Sequence, residues 1–153
     1  MSPRREHSKG ARTIEFLLLI ALPIVFHFLI PIAILISGPF RLIGIVVMIA
    51  GAFISTRAGL LFRKAGAGFE LKTETPSLVT AGVFQFSRNP IYLGMITWLL
   101  GLAVLLGSLS PFLFPLFLFF LLNFSFIPLE EARLKKLFGT EYQVYRSTVR
   151  RWL

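Results

Sequence analysis

Long apolar runs joined by short connections are the feature that most limits what this sequence can fold into. Continuous apolar stretches cover residues 14–36, 40–62, 90–107 and 112–127. A helix of about 20 apolar residues crosses the hydrocarbon core of a bilayer, and each stretch approaches or exceeds that length. The sequence therefore predicts an all-α integral membrane protein with about four transmembrane helices.

The composition and the charge agree with a membrane location. Of the 153 residues, 56% are hydrophobic and only 15% are charged, whereas about 25% are charged in soluble domains. Lys and Arg exceed Asp and Glu by 16 to 7, which gives a net charge of +9. The basic residues lie between and after the apolar runs, where they contact anionic lipid headgroups. We therefore expect membrane lipid to be the partner of these basic residues. Nucleic acid is not expected, because the aromatic side chains do not alternate with the basic ones.

The scarcity of metal-binding residue types narrows the possible chemistry. The chain has no Cys, and its only His residues are His7 and His27. This composition excludes disulfides, thiolate metal sites, cysteine nucleophiles and histidine-rich metal centres. No metal is expected.

The apolar runs pair into two hairpins. The expected segments are a basic cytoplasmic N-terminus over 1–13, a transmembrane hairpin over 14–62, a cytoplasmic loop over 63–89, and a second hairpin with a following helix over 90–153. Basic residues concentrate before the first run, in the long loop and after the last run. The positive-inside rule therefore places both termini, and the polar residues near them, in the cytoplasm.

The first run is predicted to be a single kinked helix over residues 14–36, because it contains Pro23 and Pro31. A tight turn at Ser37-Gly38-Pro39 is expected to lead into the second helix. Two ionisable residues, Glu15 and His27, lie in this run, and we expect His27 to bond a carbonyl that one of the prolines leaves free.

The residues after Pro128 are predicted to form an amphipathic interfacial helix, or two short ones. Apolar and aromatic side chains recur there at helical spacing: Leu134, Phe138, Tyr142, Tyr145 and Val149. Gly139 suits the end of one helix, and Thr140 with Gln143 suits a capping box that starts the next.

Two short motifs flank the last two apolar runs. The first opens the third run and reads Arg88-Asn89-Pro90-Ile91-Tyr92-Leu93-Gly94, and the second follows the fourth run and reads Glu130-Glu131. Asn and Pro here suit the start of a helix, and acidic residues suit the first turn of another. Helix capping does not explain why Arg, Tyr and Gly accompany them at the same membrane face.

In their order and spacing, these motifs resemble the isoprenylcysteine carboxyl methyltransferase family and its phospholipid methyltransferase relatives. Those proteins carry an Arg-(His or Asn)-Pro-x-Tyr-x-Gly motif that opens one membrane helix and a Glu-Glu pair after the next. The resemblance extends over residues 60–152 and includes Phe138-Gly139-Thr140-Glu141-Tyr142 and Val149-Arg150-Arg151-Trp152.

The resemblance implies a membrane-embedded methyltransferase that uses S-adenosylmethionine. The acceptor would be lipophilic, such as a prenylated cysteine carboxylate, a lipid amine or an isoprenoid. The cofactor-binding residues that it implies are Asn89, Pro90, Tyr92, Leu93, Gly94, Glu130, Glu131 and Tyr142. Arg88 and Arg133 are the implied catalytic residues, which would orient an acceptor carboxylate. Asn89 stands where many relatives have His, which removes one candidate base.

The chemistry of methyl transfer agrees with the residues available. An activated methyl group needs no protein nucleophile or metal, because alignment and exclusion of water supply most of the catalysis.

Two other functions stay open. A small four-helix transporter would use Glu15 as its proton-coupled residue, but it would leave both motifs unexplained. A sterol-reductase-like oxidoreductase shares an Arg-x-Pro-x-Tyr-x-Gly stretch, but those chains are much longer and lack the Glu-Glu pair. The sequence does not indicate an oligomeric state.

Overall fold

The computed structural model describes residues 17–65 and 77–153. Its helices are α1 (Leu17–Leu29), α2 (Ile43–Lys64), α3 (Pro90–Leu106), α4 (Leu113–Leu121) and α5 (Ile127–Thr148). Short helical turns lie at Gly38–Leu42, Gly82–Gln85 and Ser110–Phe112, and a π-helix lies at Leu122–Phe126. Since the described residues contain no β-strand, the predicted all-α class is confirmed. The predicted N-terminal segment, Glu15 and residues 66–76 of the predicted loop lie outside the described residues.

Two helical runs are long and apolar enough to cross a membrane. They are Gly38–Lys64, with 27 residues, and Ser110–Thr148, with 39 residues. The apolar helices Leu17–Leu29 and Pro90–Leu106 are shorter.

Helices α2 and α3 pack through glycine. A Cβ atom added to Gly51 would lie 2.5 Å from Trp98 N and 2.6 Å from Gly94 O. One added to Gly101 would lie 2.5 Å from Met48 N and 2.6 Å from Gly44 O. The two backbones therefore touch at two levels, seven residues apart on each helix. Small residues at this spacing lie on one face of a helix and let two backbones approach closely.

The first hairpin differs from its prediction. Helix α1 ends at Leu29, and residues 30–37 are not helical, so the expected single helix to Ile36 is wrong. Pro31 has no N–H and its ring clashes with the preceding turn, which favours a helix end at this position. The tight turn expected at residues 37–39 is instead a longer connection that ends in the helical turn Gly38–Leu42.

This connection is held against the turn between α3 and α4. Gly107 O accepts hydrogen bonds from Leu35 N at 2.8 Å and Ile36 N at 3.0 Å. His27 Nδ1 lies 2.7 Å from the buried Ser108 Oγ. His27 therefore bonds a hydroxyl on the second hairpin. The prediction that it bonds a carbonyl freed by proline is wrong.

The fourth apolar run and the residues after Pro128 form one helical path up to Gly139. The π-helix Leu122–Phe126 joins α4 directly to α5, and Pro128 lies in the first turn of α5, where its missing N–H is tolerated. The helix predicted after Pro128 is therefore present, and it follows the fourth run without an intervening loop. The helical path breaks at Gly139 instead, with φ 52° and ψ −120°, a conformation that suits glycine. The predicted interruption at Gly139 is thus present.

Candidate functional site

Glu131 lies between two arginines. Arg88 Nη1 is 2.9 Å from Glu131 Oε1, while Arg151 donates from Nε to Oε1 at 3.1 Å and from Nη2 to Oε2 at 2.8 Å. The side chains of Arg88 and Glu131 are 9% and 11% exposed. A forked guanidinium matches a carboxylate in this two-bond geometry. Both oxygens of Glu131 are therefore occupied by protein cations.

The turn before α3 and the residues after α5 bring these groups together. Arg88 N donates to Arg150 O at 3.0 Å. Asn89 Nδ2 donates to Arg151 O at 2.9 Å, and Ser87 Oγ donates to the same carbonyl at 3.3 Å. Asn89 is at the N-cap position of α3, but its side chain does not cap the helix. It holds the chain after α5 instead.

Two buried tyrosines of α5 bond to Arg88 and to the turn that precedes it. Arg88 Nη1 donates to Tyr142 Oη at 3.1 Å, and Tyr145 Oη donates to Phe84 O at 2.7 Å. Burial and the charge of Glu131 raise the pKa of Tyr142, and Arg88 opposes this shift. Burial raises the pKa of Tyr145 to about 12. Both phenols are therefore neutral at physiological pH.

Glu130 has a different environment from its neighbour. It lies in the first turn of α5 and is exposed. Tyr92 Oη donates to its Oε1 at 2.7 Å. Among the described residues, no arginine or lysine pairs with it, so Glu130 presents a negative charge that a cationic ligand can neutralise.

The site also contains a buried donor without an acceptor. Arg88 Nε is buried and has no hydrogen-bond partner among the described residues. An orphaned buried N–H is costly, so such groups call for an explanation. Two arginines and one glutamate leave one positive charge in the Arg88–Glu131–Arg151 cluster. The site therefore has a net positive charge at the Arg88–Glu131–Arg151 cluster and a negative charge at the adjacent residue, Glu130.

The structure brings together part of the predicted site. Tyr92 bonds Glu130, and Asn89 bonds the backbone of Arg151, whose side chain pairs with Glu131. Pro90 is buried at the first position of α3. Gly94 faces the other way: a Cβ added there would lie 2.5 Å from Gly51 O of α2.

The other predicted residues are placed as follows. Leu93 is half-buried, and its carbonyl accepts from Thr97. Tyr142 is buried against Arg88. Arg133 is exposed, and within the described residues it makes no ion pair or hydrogen bond to the two acids. The Arg88–Glu131–Arg151 cluster therefore forms without Arg133.

Three residues to which the sequence pattern assigns no role also contribute. Ser87 and Arg151 bond to the site directly, and Asn123 of the π-helix accepts hydrogen bonds from Arg151 and Trp152. The isolated amide of Asn123 within an apolar run was an available signal, because polar groups there are candidates for function. Ser87 carries no such signal, and Arg151 belongs to a stretch that resembles the family without a role being indicated for it, since the roles of both depend on long-range contacts.

An apolar cavity of about 200 Å³ lies between α1, α2 and α3. Its lining includes Leu19, Ala52, Gly94, Met95, Trp98 and Leu99. Gly94 therefore connects the motif that opens α3 to an apolar space suited to a hydrocarbon chain.

Comparison with known proteins decides the family. The family model described as phospholipid methyltransferase matches residues 39–141, which include both motifs. This chain belongs to the phospholipid methyltransferase family. The resemblance to isoprenylcysteine carboxyl methyltransferases is also confirmed, since relatives with that name match the chain.

Two yeast relatives carry the name protein-S-isoprenylcysteine O-methyltransferase. The protein of Schizosaccharomyces pombe is 41% identical over 73 residues, which are 47% of this chain and 30% of that protein. The protein of Saccharomyces cerevisiae is 35% identical over 114 residues, which are 70% of this chain and 46% of that protein. The chain thus spans less than half the length of these curated relatives. No solved structure matches it significantly.

Proposed function

We propose that this chain is a membrane-embedded, S-adenosylmethionine-dependent methyltransferase that acts on a lipophilic acceptor. The observation that carries the proposal is the pair of opposite charges at the two family motifs. Within residues 17–65 and 77–153, Glu130 has no arginine or lysine partner, while Arg88 has an excess of positive charge around it and a buried Nε without an acceptor.

The residues present fit the amino-acid end of S-adenosylmethionine. That end is a zwitterion, with an ammonium group that Glu130 would hold and a carboxylate that Arg88 would hold. Glu131 is already occupied by Arg88 and Arg151, so we assign it the task of orienting Arg88. When bound, the cofactor supplies an activated methyl group on its sulfonium.

The remaining motif residues would shape the cofactor site. Asn89 and Pro90 fix the start of α3, and Tyr92 orients Glu130 through its hydroxyl. Leu93 would provide an apolar wall, Gly94 would keep α3 packed closely on α2, and Tyr142 would hold Arg88 from the other side. Water exclusion and alignment by these groups are the main contributions that a protein makes to methyl transfer.

The acceptor is proposed to be a prenylated cysteine carboxylate, as the names of the relatives suggest. The apolar cavity beside α3 suits the hydrocarbon part of such a molecule. Arg133 is exposed and lies two residues after Glu131 in the sequence. We propose that it orients the acceptor carboxylate.

The membrane location is proposed from the exposed apolar surface. Large side chains on α1, α2 and α4 are open to the surroundings, including Phe28 at 74%, Phe53 at 61% and Phe117 at 65% exposure. A water-exposed surface of this kind would aggregate, whereas a bilayer covers it. We propose two hairpins, residues 14–62 and 90–127, with both termini, the loop over 63–89 and the site in the cytoplasm.

Calorimetric titration with S-adenosylhomocysteine, the demethylated product, tests the proposal. The detergent-purified protein should bind it in the micromolar range, and Glu130→Gln should weaken binding about tenfold or more, because a charge-assisted bond is lost. Glu141→Gln is the matched control, since Glu141 is exposed on the same helix and should leave binding unchanged. Absence of binding in a folded protein would exclude the proposed cofactor.

A further inference from the structure

The chain after α5 folds back over the site. At Val149 the backbone becomes extended, with φ −116° and ψ 133°, and we refer to Val149–Leu153 as the tail segment. Its Arg150 and Arg151 carbonyls accept hydrogen bonds from Arg88 N and Asn89 Nδ2. The tail segment therefore binds directly to the motif that opens α3.

The π-helix supplies a second attachment point for the tail segment. Asn123 Oδ1 accepts from Trp152 Nε1 at 3.1 Å and from Arg151 Nη1 at 3.3 Å. The Trp152 ring also packs on Phe119, with 5.1 Å between ring centroids. A π-helix turn is rare and is often retained at functional sites. Here it lies where Asn123 meets the tail segment.

The side chain of Arg151 changes the charge around Arg88. With Arg151 in place, two cations share one carboxylate, and the cluster carries one excess positive charge. Without it, Arg88 and Glu131 would neutralise each other, and Arg88 would attract a ligand carboxylate less strongly. Since both oxygens of Glu131 contact Arg151, this carboxylate is also kept from competing with Glu130 for a ligand ammonium.

We propose that Arg151 is a positioning residue for the cofactor site, which acts through Glu131 and couples docking of the tail segment to cofactor binding. This inference rests on the proposed function. It assigns to the tail segment a role in ligand affinity, in addition to packing. Because the coupling is reciprocal, S-adenosylhomocysteine should also stabilise the docked tail segment.

The test combines ligand affinity with the environment of Trp152. The chain has two Trp residues, so a Trp98→Phe background leaves Trp152 as the only indole. In this background, Arg151→Met should increase acrylamide quenching of Trp152 and weaken S-adenosylhomocysteine binding about tenfold or more. Arg151→Lys keeps the positive charge but loses the two-bond geometry of the guanidinium, and it should recover most of the affinity. Added S-adenosylhomocysteine should reduce the quenching in the background protein.

Control variants separate positioning from general stability. Arg146→Ala removes an exposed cation from the last turn of α5, just before the tail segment, and should change neither readout. If Arg151 acts through Glu131, the double variant Arg151→Met/Glu131→Gln should bind no more weakly than Glu131→Gln alone. Should Arg151→Met fail to fold, Asn123→Ala replaces it, since it releases Trp152 without removing a charge.

The outcomes distinguish the inference from the function on which it rests. Exposure of Trp152 by Arg151→Met or Asn123→Ala, with unchanged S-adenosylhomocysteine affinity, would overturn the inference and leave the proposed function standing. Failure of the folded background protein and of the unsubstituted protein to bind S-adenosylhomocysteine would overturn both.

Discussion

At the scale of single residues, Glu131 combines burial with two charged partners. Its carboxylate is 11% exposed and pairs with Arg88 and Arg151. Glu131→Gln would leave Arg88 buried without a counter-charge, which costs about 3 kcal/mol or more in folded proteins. We expect a clearly lower thermal midpoint for this variant in detergent, measured by circular dichroism.

Glu130→Gln provides the comparison within the same helical turn. Glu130 is exposed and bonds only Tyr92 among the described residues, so the thermal midpoint should change little. The two substitutions should therefore have different effects: Glu131→Gln should mainly lower stability, and Glu130→Gln should mainly weaken ligand binding. Equal thermal midpoints for the two variants would contradict the buried ion-pair arrangement.

Tyr145 makes the protein sensitive to alkali. Its pKa rises from 10.0 in the unfolded chain to about 12 in the fold, because burial disfavours the phenolate. The stabilisation is complete below pH 10 and is lost as the pH rises through about 12. Urea unfolding at a series of pH values should show this loss, and Tyr145→Phe should show a shallower one. Identical alkaline slopes in both proteins would contradict the assignment.

At the scale of helices, the contact between α2 and α3 depends on the absence of side chains. Gly51→Ala would place a Cβ 2.5 Å from Trp98 N and 2.6 Å from Gly94 O, so the two helices would have to separate. Overpacking of this kind costs about 2 kcal/mol. We expect a lower thermal midpoint and weaker S-adenosylhomocysteine binding, because α3 carries the first motif at its start.

Gly59→Ala is the matched control on the same helix. A Cβ there meets nothing within 4 Å, and alanine favours helix by about 1 kcal/mol relative to glycine. Gly59→Ala should therefore be neutral or stabilising. If both substitutions lower the thermal midpoint equally, the loss comes from helix α2 itself and the backbone contact is not its cause.

Prolines show why helix ends were predicted only in part. Pro23 lies within α1 and Pro128 lies in the first turn of α5, whereas α1 ends before Pro31. The residue type is the same in each case. The difference comes from the surroundings, because the chain near Pro31 finds backbone partners at Gly107 on another hairpin. Such partners are invisible in a local pattern.

At the scale of the whole molecule, the proposed topology can be tested with introduced cysteines. The chain has no Cys, so each labelled position is unique. Ser37 and Ser147 are exposed, on the first hairpin connection and on α5. A membrane-impermeant maleimide should label Ser147→Cys only from the cytoplasmic face and Ser37→Cys only from the opposite face. Labelling of both from one face would exclude the proposed hairpin arrangement.

The helical class and the family could be predicted from the sequence alone, and the two motifs named most of the residues proposed for the site. Apolar runs and the two motifs are local patterns, and the types of residue that they require can be read directly.

The different environments of the two acids, and the contacts that Arg151 and Asn123 make, follow only from the tertiary structure. Glu130 and Glu131 are adjacent and chemically identical, so their sequence does not distinguish them. Their difference arises because Arg88, 43 positions earlier, and Arg151, 20 positions later, both reach Glu131. A charged group takes its role from the partners and burial that the fold provides, and those depend on contacts between distant parts of the chain.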